Sequence, residues 1–144
     1  MKNGEKAQAA KKWLERNLKI LYELKKLTER RDSDTYANIS KYEEGFTGGV
    51  GNLQEMRMIA FAERNSRIEE LTKMQKVVSL EEKEVIDHLE KDTLAWSLLS
   101  DRYIEGYEWS EIAKMYCYSE THIHRIHGYA LLKIYPFIPK EEDT

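Results

Sequence analysis

Residues 94–135 read LAWSLLSDRYIEGYEWSEIAKMYCYSETHIHRIHGYALLKIY, and the turn formers and caps inside this stretch decide the fold. Its spacing predicts three short helices: 93–104, then 109–116 after a turn over Glu105 to Glu108, then 119–135 after a tight turn at Cys117 and Tyr118. Ser119 is a strong N-cap type for the last of these. A helix, a turn and a longer capped helix form the helix-turn-helix pattern, whose second helix can enter the major groove of DNA.

The last helix can be tested on a wheel, each residue advancing ~100°. With Ile123 at 0°, Ile126, Ala130, Ile134 and Leu131 all fall within about 80° of it, so one face is core. Thr121, Arg125, Gly128 and Leu132 lie between about 140° and 200°, with His124 near 100° and His122 and Tyr129 near 250°. Ser119, Thr121, His122, His124, Arg125, Gly128, Tyr129 and Lys133 are therefore the candidate DNA-binding residues. Gly128 has no side chain and permits close approach of a phosphate backbone. His122 and His124 can hydrogen-bond to bases or phosphates and gain charge at mildly acidic pH.

Three histidines in one helix also raise metal binding. Their spacings put only His124 and His127 side by side, so no metal site is expected, and His127 reads as a partly buried structural residue with one ring nitrogen satisfied.

Working outward, residues 6–31 form a long helix with Trp13, Leu14, Leu18, Ile20, Leu21, Leu24 and Leu27 as its apolar positions. Trp13, Asn17, Ile20, Leu24 and Leu27 also follow the 4-3-4-3 spacing of a coiled-coil seam. Pairing between protomers and a core-facing role within one chain both fit. Residues 32–51, DSDTYANISKYEEGFTGGVG, lose the stripe and are expected to be a Gly-containing loop or linker. A central helical region spans 52–91, with Asn52 a plausible cap and a stripe of Leu53, Met56, Ile59, Ala60, Ile68, Leu71, Met74 and Val78. Ser79 followed by Glu82 is a capping-box pattern that predicts a fresh helix start at Leu80. Asp92 or Thr93 can cap the next helix. The expected organisation is a basic helix (1–31), a linker (32–51), the central helices (52–91), the helix-turn-helix (92–135) and a tail (136–144).

Composition agrees with an all-α chain. Both prolines, Pro136 and Pro139, lie near the C-terminus, and charged residues make up 34% against 41% hydrophobic, as in a water-facing protein. No run approaches the ~20 apolar residues of a membrane span, no secretory signal is evident, and the lone Cys117 permits no internal disulfide, so a cytoplasmic setting is expected. No phosphate loop, paired-His metal helix or nucleophile elbow is present, so neither an enzyme nor a cofactor is expected. Cys117 in a motif turn reads as structural. The net charge of −3 hides a gradient: residues 1–31 carry ten Lys/Arg against four Glu, and residues 92–118 carry two against five Asp/Glu.

The strings RYIEGYEWSEIA and YSETHIHRIHGYAL resemble the C-terminal signature of the phage and prophage ArpU/RinA-type transcriptional regulators. They are also similar to the helix-turn-helix of sigma region 4. Arg102, Tyr103, Ile104, Gly106, Trp109, Glu111, Ile112 and Ala113 match the first part. Tyr118, Ser119, His122, Ile123, Arg125, Ile126, His127, Ala130 and Leu131 match the second. The likeness covers under a third of the chain. It departs at Cys117, where the family usually has Gly, and at Glu108, where Ser or Thr is common.

The resemblance implies a sequence-specific double-stranded DNA-binding regulator, an activator of phage late genes acting in the bacterial host cytoplasm and nucleoid-associated when bound. Lys133 and the basic N-terminal helix would then contact phosphates. A recognition helix offering only Arg125 and Lys133 against Glu120 is weakly cationic, which predicts a homodimer through residues 6–31 and 52–78. Two alternatives remain. The acidic run Asp101, Glu105, Glu108 and Glu111 could face RNA polymerase, or the chain could be a small-terminase-like DNA-packaging adaptor.

Overall fold

The first helix, α1 (Asn3–Glu43), is built from a Pro-free run of Ala, Leu, Lys and Glu whose Ala10, Leu14 and Asn17 recur on one face and are buried. The computed structural model describes residues 1–43 and 51–140, with side chains for 1–30 and 53–140. Among the described residues the elements are all helical and there is no strand. After α1 come α2 (Gly51–Ile86), α3 (Leu94–Leu99) running into a π-helical turn over Ser100–Ile104, α4 (Trp109–Tyr116), α5 (Glu120–Ile134) and a 3₁₀ turn over Tyr135–Phe137. No described helix is long and apolar enough to cross a membrane.

The helices 109–116 and 119–135 fall where the sequence places them, and Thr93 caps α3 by accepting from the Trp96 N–H. Two other expectations are corrected. The backbone of residues 32–43 is helical, continuing α1 where a loop was expected, since nothing in DSDTYANISKYE forbids a helix once one is propagating; residues 44–50 of that linker lie outside the described residues. The Ser79–Glu82 capping box is not used. α2 passes through it unbroken, Ser79 Oγ donates to Lys76 O in the preceding turn, and Glu82 turns inward to a tertiary contact. A capping box needs its Glu free to reach back, and this one is engaged elsewhere.

The chain divides into two compact units, Met1–Lys19 with Lys76–Thr144, and Ile20–Gln75. The helical region expected at 52–91 is thus shared between units, and the start of α1 belongs with the C-terminal helices. In the smaller unit Ile20 and Leu71 are buried, Arg67 pairs with Glu23 at 3.2 Å, and Leu53, Met56, Met58 and Ile59 of α2 are exposed.

The larger unit has two apolar clusters. One joins Ala10 and Leu14 of α1, Val85, Ile86 and Leu89, then Leu99, Tyr103, Ala130, Leu131 and Ile134. The other joins Leu98, Ile112, Ala113 and Ile123, covered by Trp109, Tyr116 and Ile126. Each fully buried Leu or Ile contributes about 1.5–3 kcal/mol.

Inside the first cluster lies a polar junction. Asn17 and Glu82 are fully buried; the Asn17 backbone N–H donates to Glu82 Oε2 at 3.1 Å, and Asn17 Nδ2 donates to the Tyr103 carbonyl at 2.8 Å. Asn17 thus takes the core-facing role within its own unit. Burial pushes the Glu82 carboxyl up to about 8, with Glu81 adding to it and Arg16 and the Asn17 bond opposing. Glu82 Oε1 and Asn17 Oδ1 are both buried acceptors without a donor, which fits a protonated carboxyl.

A raised carboxyl value reverses the usual acid dependence. The folded state holds a proton on Glu82 that the unfolded chain releases above about 4.5, so stability falls as pH rises towards 8. His127, held down to about 4 by burial, acts the opposite way between about 4 and 6.5. The two offset below pH 6.5, leaving Glu82 to dominate from there to pH 8. The unfolding free energy should therefore fall across that window by up to about 1.4 kcal/mol per pH unit, read as a falling melting temperature, and Glu82→Gln should abolish the drop. A wild-type melting temperature flat over pH 6.5–8.5 would contradict the assignment.

Candidate functional site

α4 begins at Glu108, whose backbone is extended but whose side chain makes no cap bond, because its Oε2 lies 3.6 Å from Arg102 Nη1. The helix ends at Cys117, with φ 59° and ψ 37° in the left-handed region. The Cys117 N–H bonds back to Lys114 O, and the Tyr118 N–H to Ala113 O at 3.0 Å, the closure that usually employs Gly. The chain then turns extended at Ser119, whose Oγ accepts from the His122 N–H at 3.2 Å and starts α5. The left-handed conformation that Gly usually takes is thus adopted here by a cysteine, with its side chain exposed and its thiol 3.8 Å from Lys114 O.

α5 buries Ile123, His127, Ala130, Leu131 and Ile134 and leaves Ser119, Thr121, His124, Arg125, Tyr129 and Lys133 exposed, with His122 and Gly128 half-buried. All eight candidate residues lie along this one helix and its cap. They form sub-clusters: the His122 ring packs on Tyr118 with centroids 4.7 Å apart, the Lys133 ammonium lies 5.2 Å from the Tyr129 ring centre, and His124 tilts against Trp109 at 5.1 Å. Hydrogen bonding to Tyr129 raises the Lys133 pKa, so its charge is kept. A Cβ built on Gly128 meets nothing within 4 Å, so the backbone there is bare and approachable.

His127 sits beneath this face. Its Nε2 meets Tyr103 Oη at 2.7 Å, and its ring is 4.4 Å from that of Trp109. Burial holds it down to about 4, helped by the positive charges of Lys11, His124 and Arg102. It is neutral at physiological pH, and the phenol, having no other partner, donates to it. At the other end of α4, Tyr116 donates to Asp101, and burial followed by that carboxylate pushes the phenol up to about 12. Of the acidic run only Asp101 is engaged internally, by Tyr116; Glu108 is exposed and pairs across the surface with Arg102, and Glu105 and Glu111 are exposed as well.

Trp109, which packs against both His124 and His127, carries no site role in the sequence reading and appears there only as a motif match. Among the described residues no group of three His, Cys, Asp or Glu side chains could hold a metal ion. Compared with family models, with curated proteins and with solved structures, the chain gives no match.

The left-handed cysteine gives a direct test of the turn. Glycine adopts this conformation without the Cβ penalty, so Cys117→Gly should raise stability by about 1 kcal/mol in chemical denaturation. A loss of stability would show that the thiol, not the backbone, sets the turn.

Proposed function

We propose that the chain is a sequence-specific double-stranded DNA-binding transcription regulator, with α4 and α5 as a helix-turn-helix and α5 as the recognition helix. The observation that carries this reading is the outward face of α5. A closed turn at Cys117 and a capped Ser119 start the helix, and Thr121, His124 and Arg125 project from its first turns while Ile123 and His127 anchor it below. Side chains on the first turns of such a helix are those that reach base edges. Arg125 can bond guanine O6 and N7 bidentately, the histidines can bond bases or phosphates, and bare Gly128 lets the sugar-phosphate backbone approach.

The resemblance of residues 102–131 to ArpU/RinA-type regulators supports the same reading and suggests phage late-gene activation. A second copy would double the contacts and match two half-sites. The exposed Leu53, Met56, Met58 and Ile59 on α2 are apolar surface that a homodimer could cover.

The test is binding to duplexes that the protein selects from a random library, with promoter regions near its own coding sequence as a second source. Arg125→Ala should weaken the selected site by about 10- to 100-fold and relax its sequence preference. Gly128→Ala should leave the fold intact, or gain up to about 1 kcal/mol from better helix propensity, yet still weaken binding by crowding the backbone. If the wild type binds no duplex more tightly than random DNA at physiological salt, the reading is lost.

A further inference from the structure

The half-buried Trp109 opens α4, and its indole meets three side chains of the larger unit at once. The Arg102 guanidinium carbon lies 5.4 Å from the ring centre, the His127 ring 4.4 Å and the His124 ring 5.1 Å. Two of these neighbours are themselves fixed. Arg102 donates to Tyr107 O at 2.9 Å and faces Glu108, while His127 is buried and bonded to the Tyr103 hydroxyl. The indole also covers the second apolar cluster, so it is held from the core side. Of its three neighbours only His124 is exposed.

The consequence falls on that one imidazole. An exposed side chain ordinarily exchanges between rotamers within nanoseconds, and a bond to a ligand must first stop that motion at a cost in entropy. The tilted contact with Trp109, its ring planes 54° apart, restricts His124 before any ligand arrives and is a geometry that aromatic pairs favour. No described residue hydrogen-bonds the His124 ring, so its nitrogens are left to an outside partner. His122 differs, because Tyr118, the ring it packs on, is itself exposed.

We propose that Trp109 is a positioning residue for DNA recognition: without touching DNA, it sets the orientation in which the His124 ring meets a base edge. This rests on the DNA-binding reading and deepens it, making His124 a sequence-reading contact supported from α4. His124 is the fifth residue of α5, within the part of a recognition helix that reaches base edges. A ring nitrogen can donate to or accept from a base, and a ring free to turn would suit several bases alike. Aim is therefore what selectivity requires, and the buried end of the Trp109 packing supplies it.

The experiment is a double-mutant cycle read by fluorescence anisotropy, using the duplex selected from a random library and its single-base variants. His124→Ala should weaken the selected site by about 10-fold and erase the preference at one base pair. Trp109→Leu should erase the same preference, and Trp109→Phe, which keeps an aromatic face, should restore most of the affinity. Because Trp109 acts through His124, the two changes combined should cost about 10-fold in all, where independent losses would multiply to about 100-fold. A merely structural Trp109 would lower affinity equally with and without His124. The second measurement needs no variant to fold: nuclear Overhauser contacts between the indole and the His124 ring protons in the unbound wild type. Multiplying losses, an unchanged base preference in His124→Ala, or absent ring-to-ring contacts overturn the positioning role and leave duplex recognition standing. A wild type that binds no duplex more tightly than random DNA removes both proposals together.

Discussion

Tyr103 holds the larger unit together through opposite ends of one residue. Its carbonyl lies in the π-helical turn, where the Tyr107 N–H that an α-helix would supply bonds instead to Asp101 O. Asn17 Nδ2 fills that vacancy from α1. At the other end the phenol donates to His127 and fixes the underside of α5. A buried carbonyl or hydroxyl left unpaired costs about 1–3 kcal/mol, so both bonds are required once the ring is inside the core. One residue, by its carbonyl and its phenol, therefore ties the first helix to the last, with the Glu82 junction alongside it.

The same tie explains why a histidine sits under a proposed DNA-binding face without being part of it. His127 is neutral because it is buried among cations, and neutrality allows its Nε2 to accept from a phenol. Its neighbour His124, three residues earlier and exposed, is left to face solvent. Burial and the helical period assign the two imidazoles different work on adjacent positions of one helix.

The parts of this arrangement that follow local rules were legible in the sequence. Ser119 as a cap, Ile123, Ala130, Leu131 and Ile134 as a buried face, and the helix bounds around Cys117 all follow from periodicity and side-chain chemistry within a few residues. The failures had long-range or context-dependent causes. Ser79 and Glu82 have the right spacing for a helix start, but Glu82 is claimed by Asn17, 65 residues away, and spacing cannot register a competing partner. The helix over 32–43 follows from propagation of a nucleus formed earlier, which outweighs the weak local propensities of Asp, Ser and Thr.

Charge is where the fold most alters what composition suggests. Averaged over the chain the balance is −3, and along the sequence the cations are concentrated furthest from α5. Folding reverses that separation, since residues 1–19, with six Lys/Arg against two Glu, pack in the same unit as α5. Of the acidic residues before α5, Asp101 is taken up by Tyr116, and the exposed Glu108 is partly balanced by Arg102. On the proposed reading, the phosphate attraction that α5 lacks alone is supplied within one copy. A dimer would then serve to match half-sites and raise avidity, and would not be needed to make a single recognition helix adhere.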